Sequence, residues 1–170
     1  MTAPGRPAGG LQGVFRRVAL GFAVLGGVAA CAVAAMTVVS IVMRATLSRP
    51  IGGDVELTQL GIALAISLCL PWAQLHGANI IVDFFTQAVP ERANRRLDAV
   101  GALLLAAMCA LLSWRTSVGA LSVREAGETS MILDLPMWWA YASLAPGLGL
   151  TALIALRQAW RGARGQPLVE

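Results

Sequence analysis

Four apolar stretches, each long enough to cross a lipid bilayer, constrain this chain more than any other feature. The first, Leu20 to Met43, runs about 24 residues without a charge, and about 20 suffice for some 30 Å of hydrocarbon. The second is Leu57 to Leu75, with Pro71 in its last turns. The third begins at Leu97, is uncharged from Ala99 to Trp114, and is expected to continue past Arg115 to about Val123 as a tilted helix. The fourth is Pro136 to Leu156; it opens on a proline, which a first helical turn tolerates, and is expected to kink at Pro146 and Gly147. Arg16 and Arg17 precede the first stretch as they would a signal peptide. Its apolar run is too long for that, and no clean cleavage site follows. Backbone groups in hydrocarbon must bond internally, so these stretches predict an all-α membrane protein of four transmembrane helices.

Charge agrees with this class. Only 13% of the 170 residues are charged, about half of what a soluble domain carries. The 13 basic residues are all arginines, and they flank the apolar runs instead of forming a patch with aromatics, which speaks against nucleic acid as a partner. Nine of them (Arg6, Arg16, Arg17, Arg92, Arg95, Arg96, Arg157, Arg161 and Arg164) fall on one side of a four-span topology; Arg44, Arg49, Arg115 and Arg124 fall on the other. The positive-inside rule then predicts both termini and the middle loop in the cytoplasm. Trp72 and Trp160 lie near one set of span ends, and Trp114, Trp138, Trp139 and Tyr141 near the other, as an interfacial aromatic belt requires. Residues 1–14 and 162–170 read as tails, leaving 15–161 as the membrane domain.

Between the second and third spans the chain reads "LHGANIIVDFFTQAVPERANRR". On a helix, Ala78, Ile81, Val82, Phe84, Phe85, Ala88 and Val89 share one broad face, and Asn79, Asp83, Thr86 and Gln87 the other. This predicts a short amphipathic helix lying in the membrane interface, entered by a turn at Gly77 and ended by Pro90, with the following arginines against anionic head groups.

Little in the spans carries chemistry. Thr37, Ser40, Ser67 and Ser113 are expected to bond back to their own helices. No Asp, Glu or Lys lies mid-span, where carriers of charged solutes keep their ligands. Cys31, Cys69 and Cys109 have no metal or redox spacing and read as small buried hydrophobes; His76, the one histidine, reads as a turn residue at a helix end. No metal, cofactor or catalytic residue is expected. In the first outer loop Pro50, Gly52 and Gly53 make a turn, Asp54 is placed to cap the second helix, and Glu56 sits in its first turn. In the second, Gly127 turns the chain, Thr129 or Ser130 caps the apolar piece that follows, and Asp134 is placed to cap the fourth span. Arg115 either snorkels outward or pairs with Glu125 or Glu128. The charges of these loops (Arg44, Arg49, Asp54, Arg124, Glu125, Glu128) form either a solvated rim or a docking surface.

Taken in order around four spans, "RPIGGDVEL", "HGANIIVDFF" followed by "PERANRRLD", and "GETSMILDLPMWWAYASLAPG" resemble the small integral-membrane subunit of tripartite ATP-independent periplasmic (TRAP) transporters. The resemblance runs from about Arg16 to Arg161. The pattern it carries over is Pro50, Gly52 and Glu56, then Gly77, Ile80, Val82 and Asp83, then Pro136, Trp138, Tyr141, Pro146 and Gly147; where the family often has His before Ile80, this chain has Asn79. The resemblance implies a bacterial inner-membrane subunit that is not an enzyme. It would brace a large permease subunit, which holds the sodium and substrate sites, while a periplasmic binding protein delivers an organic anion. Membrane lipids would be its other partners. The residues alone leave room for a membrane anchor of a respiratory enzyme, a small exporter, or another structural four-helix subunit.

Overall fold

The computed structural model describes residues 10–49, 51–77 and 91–164, with side chains over 13–49, 51–77 and 97–164. Pro50 and the expected surface helix at 78–89, with Ile80, Val82, Asp83, Phe84 and Phe85, lie outside the described residues. Four helices carry the fold: α1 (Gly10–Leu47), α2 (Asp54–Leu75), α3 (Glu91–Ala126) and α4 (Trp138–Ala163). Each is long and apolar enough to cross a membrane. α1 begins at Gly10, so residues 10–14 of the expected tail are helical, and α4 runs to Ala163 with Pro146 inside it. With 38 and 36 residues, α1 and α3 are about 57 and 54 Å long, well beyond the bilayer core, so they tilt or project past it.

The helices form a row. α1 packs on α2, α2 on α4 and α4 on α3, while α1 touches α4 only slightly. Residue pairing gives their directions. Gly26 meets Ala65 and Cys69, and Thr37 meets Thr58, so α1 and α2 are antiparallel. Ser67 meets Leu144 and Gln74 meets Gln158, so α2 and α4 run the same way. Gly119 meets Tyr141 and Ser113 meets Ala145, so α3 opposes both. The α1–α2 and α3–α4 connections therefore share one end of the row, here the loop end; the start of α1 and the finish of α4 share the other, the terminal end.

Burial follows from place in the row. α4, flanked on two sides, is the most enclosed span, with 28% of its apolar window buried against 6% for α1 at the edge. Val24, Leu25, Val28, Val38 and Ile41 of α1, and Leu103, Leu104, Met108 and Leu111 of α3, remain exposed. In water such surface would be a liability; in a bilayer it meets lipid or another membrane protein. Cys109 is buried, Cys69 is half-buried and Cys31 is exposed. The last differs from the sequence expectation, because an edge helix covered on one side leaves most of its circumference open. A thiol there is one more small apolar contact.

Without hydrophobic drive between helices in lipid, close packing and hydrogen bonds hold them together. Gly26 lets α1 approach Ala65 and Leu68 of α2, where a Cβ would come within 2.9 Å of the Ala65 carbonyl oxygen. Gly61 accepts Val33 in the same contact, and Gly147 of α4 lies directly on the Ser67 backbone of α2. Gly27, one residue from Gly26, faces open space.

Candidate partner interface and the polar contacts beneath it

At the loop end, Ser40 near the end of α1 organises the first connection. Its hydroxyl donates to Asp54 Oδ2 at 2.6 Å and accepts from the Ile51 N–H at 3.4 Å. Arg44 adds an ion pair to the same carboxylate oxygen at 3.3 Å. Asp54 is thus the first residue of α2 and not its cap: Gly53 is the cap residue, at φ 74, without a side-chain bond. The carboxylate still sits beside the positive end of the α2 dipole. Gly53 is required twice, for that left-handed backbone and because Leu133 of the other loop fills the place of a Cβ.

The second connection folds back on itself. α3 ends in a Schellman turn at Gly127 (φ 65), with the Gly127 N–H donating to the Arg124 carbonyl and the Glu128 N–H to that of Val123. Thr129 and Pro136 lie opposite each other as a bridge, and the Met137 N–H donates to the Glu128 carbonyl. Ser130 closes the loop from inside: its N–H donates to the Leu135 carbonyl at 2.9 Å and its hydroxyl accepts from the Leu135 N–H at 3.3 Å. Asp134, expected to cap α4, instead takes a turn position at φ 52; Met137 is the residue before α4, and it makes no side-chain cap bond. The backbone bonds of the loop already set where α4 begins.

Glu56 joins the two connections. From the first turn of α2, its Oε1 accepts the Ile132 N–H at 3.1 Å, while Oε2 is buried without a partner among the described residues. Pinned by Glu56 and by Leu133 on Gly53, the loop offers Met131, 98% exposed, and Ile132, 61% exposed, as an apolar tip. Around it stand exposed Arg44, Arg49, Glu125, Glu128 and Gly52; the Arg124 guanidinium lies 5.4 Å from the Trp138 ring centre, and Trp138 meets Trp139 edge to face. Arg115 is exposed, and among the described residues it pairs with neither Glu125 nor Glu128.

Below this end, polar side chains tie the spans together. Ser67 of α2 donates to the Leu144 carbonyl at 2.8 Å, and Ser113 of α3 to the Ala145 carbonyl at 3.0 Å. These are the two carbonyls before Pro146, so α4 is gripped from either side beside its internal proline. Tyr141 rests on Gly119 of α3. Nearer the terminal end, Gln74 Nε2 donates to Gln158 Oε1 at 2.6 Å and Gln158 Nε2 to the Gln74 carbonyl at 2.9 Å, all of it buried. Thr37 does bond back to its own helix, at the Val33 carbonyl, whereas Ser40, Ser67 and Ser113 reach across to other elements. His76 ends α2 with Nδ1 3.0 Å from the Trp72 carbonyl oxygen and its ring against that indole, and Gly77 turns at φ 64. Among the described residues, no three His, Cys, Asp or Glu side chains gather as a metal ion would need.

Four apolar helices, each long enough to cross a membrane, with α2, α4 and α3 tied together by Ser67, Ser113 and the Gln74–Gln158 pair, define a multi-pass membrane protein. The chain belongs to the family described as tripartite ATP-independent periplasmic transporters, DctQ component, whose model matches residues 33–165. No curated protein and no solved structure matches it.

Proposed function

We propose that this chain is the small permease subunit of a TRAP transporter, bracing the large permease subunit during sodium-coupled uptake of an organic anion that a periplasmic binding protein delivers. The observation that supports this most is the state of the polar groups between its helices. Ser67, Ser113 and Thr151 bond to backbone carbonyls, and Gln74 and Gln158 to each other. None of these is left to strip water from an ion or anion, as a carrier's midplane site must. The wide apolar faces of α1 and α3 are the surfaces that fit a large membrane partner.

In this reading the protein lies in the bacterial inner membrane with both termini in the cytoplasm, as the nine-to-four arginine split supports. The loop end faces the periplasm, and its apolar tip with Arg44, Arg49, Asp54, Arg124, Glu125 and Glu128 forms part of the rim where the binding protein docks. Of these, Asp54 acts through the loop it holds, since its carboxylate is engaged by Ser40 and Arg44. Rim charges act mainly on encounter rate and its salt dependence. Two measurements test the reading. Reporter fusions at Gly53 and Glu128 are expected to report periplasm and one at Arg95 cytoplasm. A tagged chain is expected to co-purify with its large permease subunit; a cytoplasmic signal at Gly53, or purification free of the permease from cells making both, contradicts it.

A further inference from the structure

At the terminal end, α1 and α4 meet around one contact: the Arg157 guanidinium lies over the Phe15 ring, 5.5 Å from its centre. Two turns on along α4, the Arg164 guanidinium lies 4.7 Å from the centre of the Trp160 ring. Neither arginine makes an ion pair among the described residues, and neither does exposed Arg16, the neighbour of Phe15. A guanidinium stacked on a ring keeps its in-plane N–H donors free, and stacking fixes their direction, which is the arrangement that favours two-point recognition of phosphate. Leu153, Leu156, Arg157, Trp160 and Arg164 lie along one side of α4, away from its buried Thr151, Ala155 and Gln158. The leucines are exposed, as are Val14 and Val18 on α1. Cationic donors therefore sit at the end of two membrane-spanning helices, directly above exposed apolar surface.

We propose that this α1–α4 corner is a binding site for an anionic phospholipid, the phosphate held by Arg157, Arg164 and Arg16 and an acyl chain lying along Leu153 and Leu156. A lipid fits both halves of the site, since an acyl chain alone has no use for stacked arginines and free phosphate none for the leucines. Basic pockets between transmembrane helices at a membrane face hold such head groups. The site lies at the opposite end of the row from the rim where the binding protein would dock.

The test is native mass spectrometry of the full chain in detergent, titrated with phosphatidylglycerol, with phosphatidylcholine, and with inorganic phosphate. Phosphatidylglycerol is expected to bind at least fivefold more tightly than phosphatidylcholine and to resist displacement by millimolar phosphate. Arg157→Gln with Arg164→Gln is expected to abolish the preference. Phe15→Ala, which leaves all charges in place, is expected to weaken it severalfold, while Phe15→Tyr retains it. If the glutamine pair does not fold, Arg157→Lys with Arg164→Lys carries the same test, because lysine keeps the charge and loses the planar fork. Equal binding of the two lipids, complete displacement by phosphate, or an unchanged preference in the arginine variants overturns the proposal.

Discussion

Gln74 of α2 and Gln158 of α4 face each other in the buried contact of two parallel helices and trade two hydrogen bonds, one side chain to side chain and one side chain to backbone. The pair sets the register of α2 against α4, because sliding either helix by one residue separates the amides. Replacing Gln158 by Leu takes both of these buried hydrogen bonds from Gln74, at a cost of about 1–3 kcal/mol. Replacing both by Leu removes the penalty, so the double variant is expected to be more stable than the two single costs imply. Denaturant unfolding in detergent of the two single variants and the double checks this; strictly additive losses would mean that the amides do not act as a pair.

Adjacent glycines separate packing from open surface. Gly26→Ala drives a methyl against the Ala65 carbonyl and Cys69 Sγ, which cannot both withdraw, and is expected to lower stability by about 1–3 kcal/mol. Gly27→Ala meets nothing within 4 Å and is expected to leave the isolated chain unchanged or slightly more stable. Thermal unfolding of the two proteins in one detergent compares them directly. The order reversed would show that α1 packs on α2 through another face.

The loop end turns on Glu56. Glu56→Ala removes the acceptor of the Ile132 N–H, and losing a bond to a charged group costs about 1.5–3 kcal/mol. Hydrogen exchange at the Ile132 amide is expected to accelerate roughly tenfold or more, since about 1.4 kcal/mol is a factor of ten. Exchange along the α4 backbone should stay as slow as before. An unchanged Ile132 rate would mean that the Leu133–Gly53 contact holds the loop without the carboxylate.

Much of this architecture is legible in the sequence, for a physical reason. A bilayer forces each span to be long and apolar, so four helices and their approximate limits can be read from composition along the chain. Gly127 and Gly53 announce their turns because left-handed backbone favours glycine. What escapes is everything that depends on which helices touch. Ser67 and Ser113 look like residues that bond back to their own helices, and only the α2–α4–α3 order reveals that both grip the carbonyls before Pro146. Gln74 and Gln158 carry a visible signal, each being an amide in an apolar run, but nothing local states that they meet. Asp134 has the composition of a cap, yet the bonds of Ser130 and Glu128 place it elsewhere.

As proposed, this chain braces a transporter and has no transport path of its own. Reconstitution into liposomes under an inward sodium gradient tests it most directly, with radiolabelled organic anions as substrates. The purified chain alone is expected to take up none of them, the chain with its large permease subunit and binding protein is expected to take up one, and omitting the chain from that mixture is expected to abolish uptake. Uptake by the chain alone, or full uptake by the permease and binding protein without it, would contradict the account.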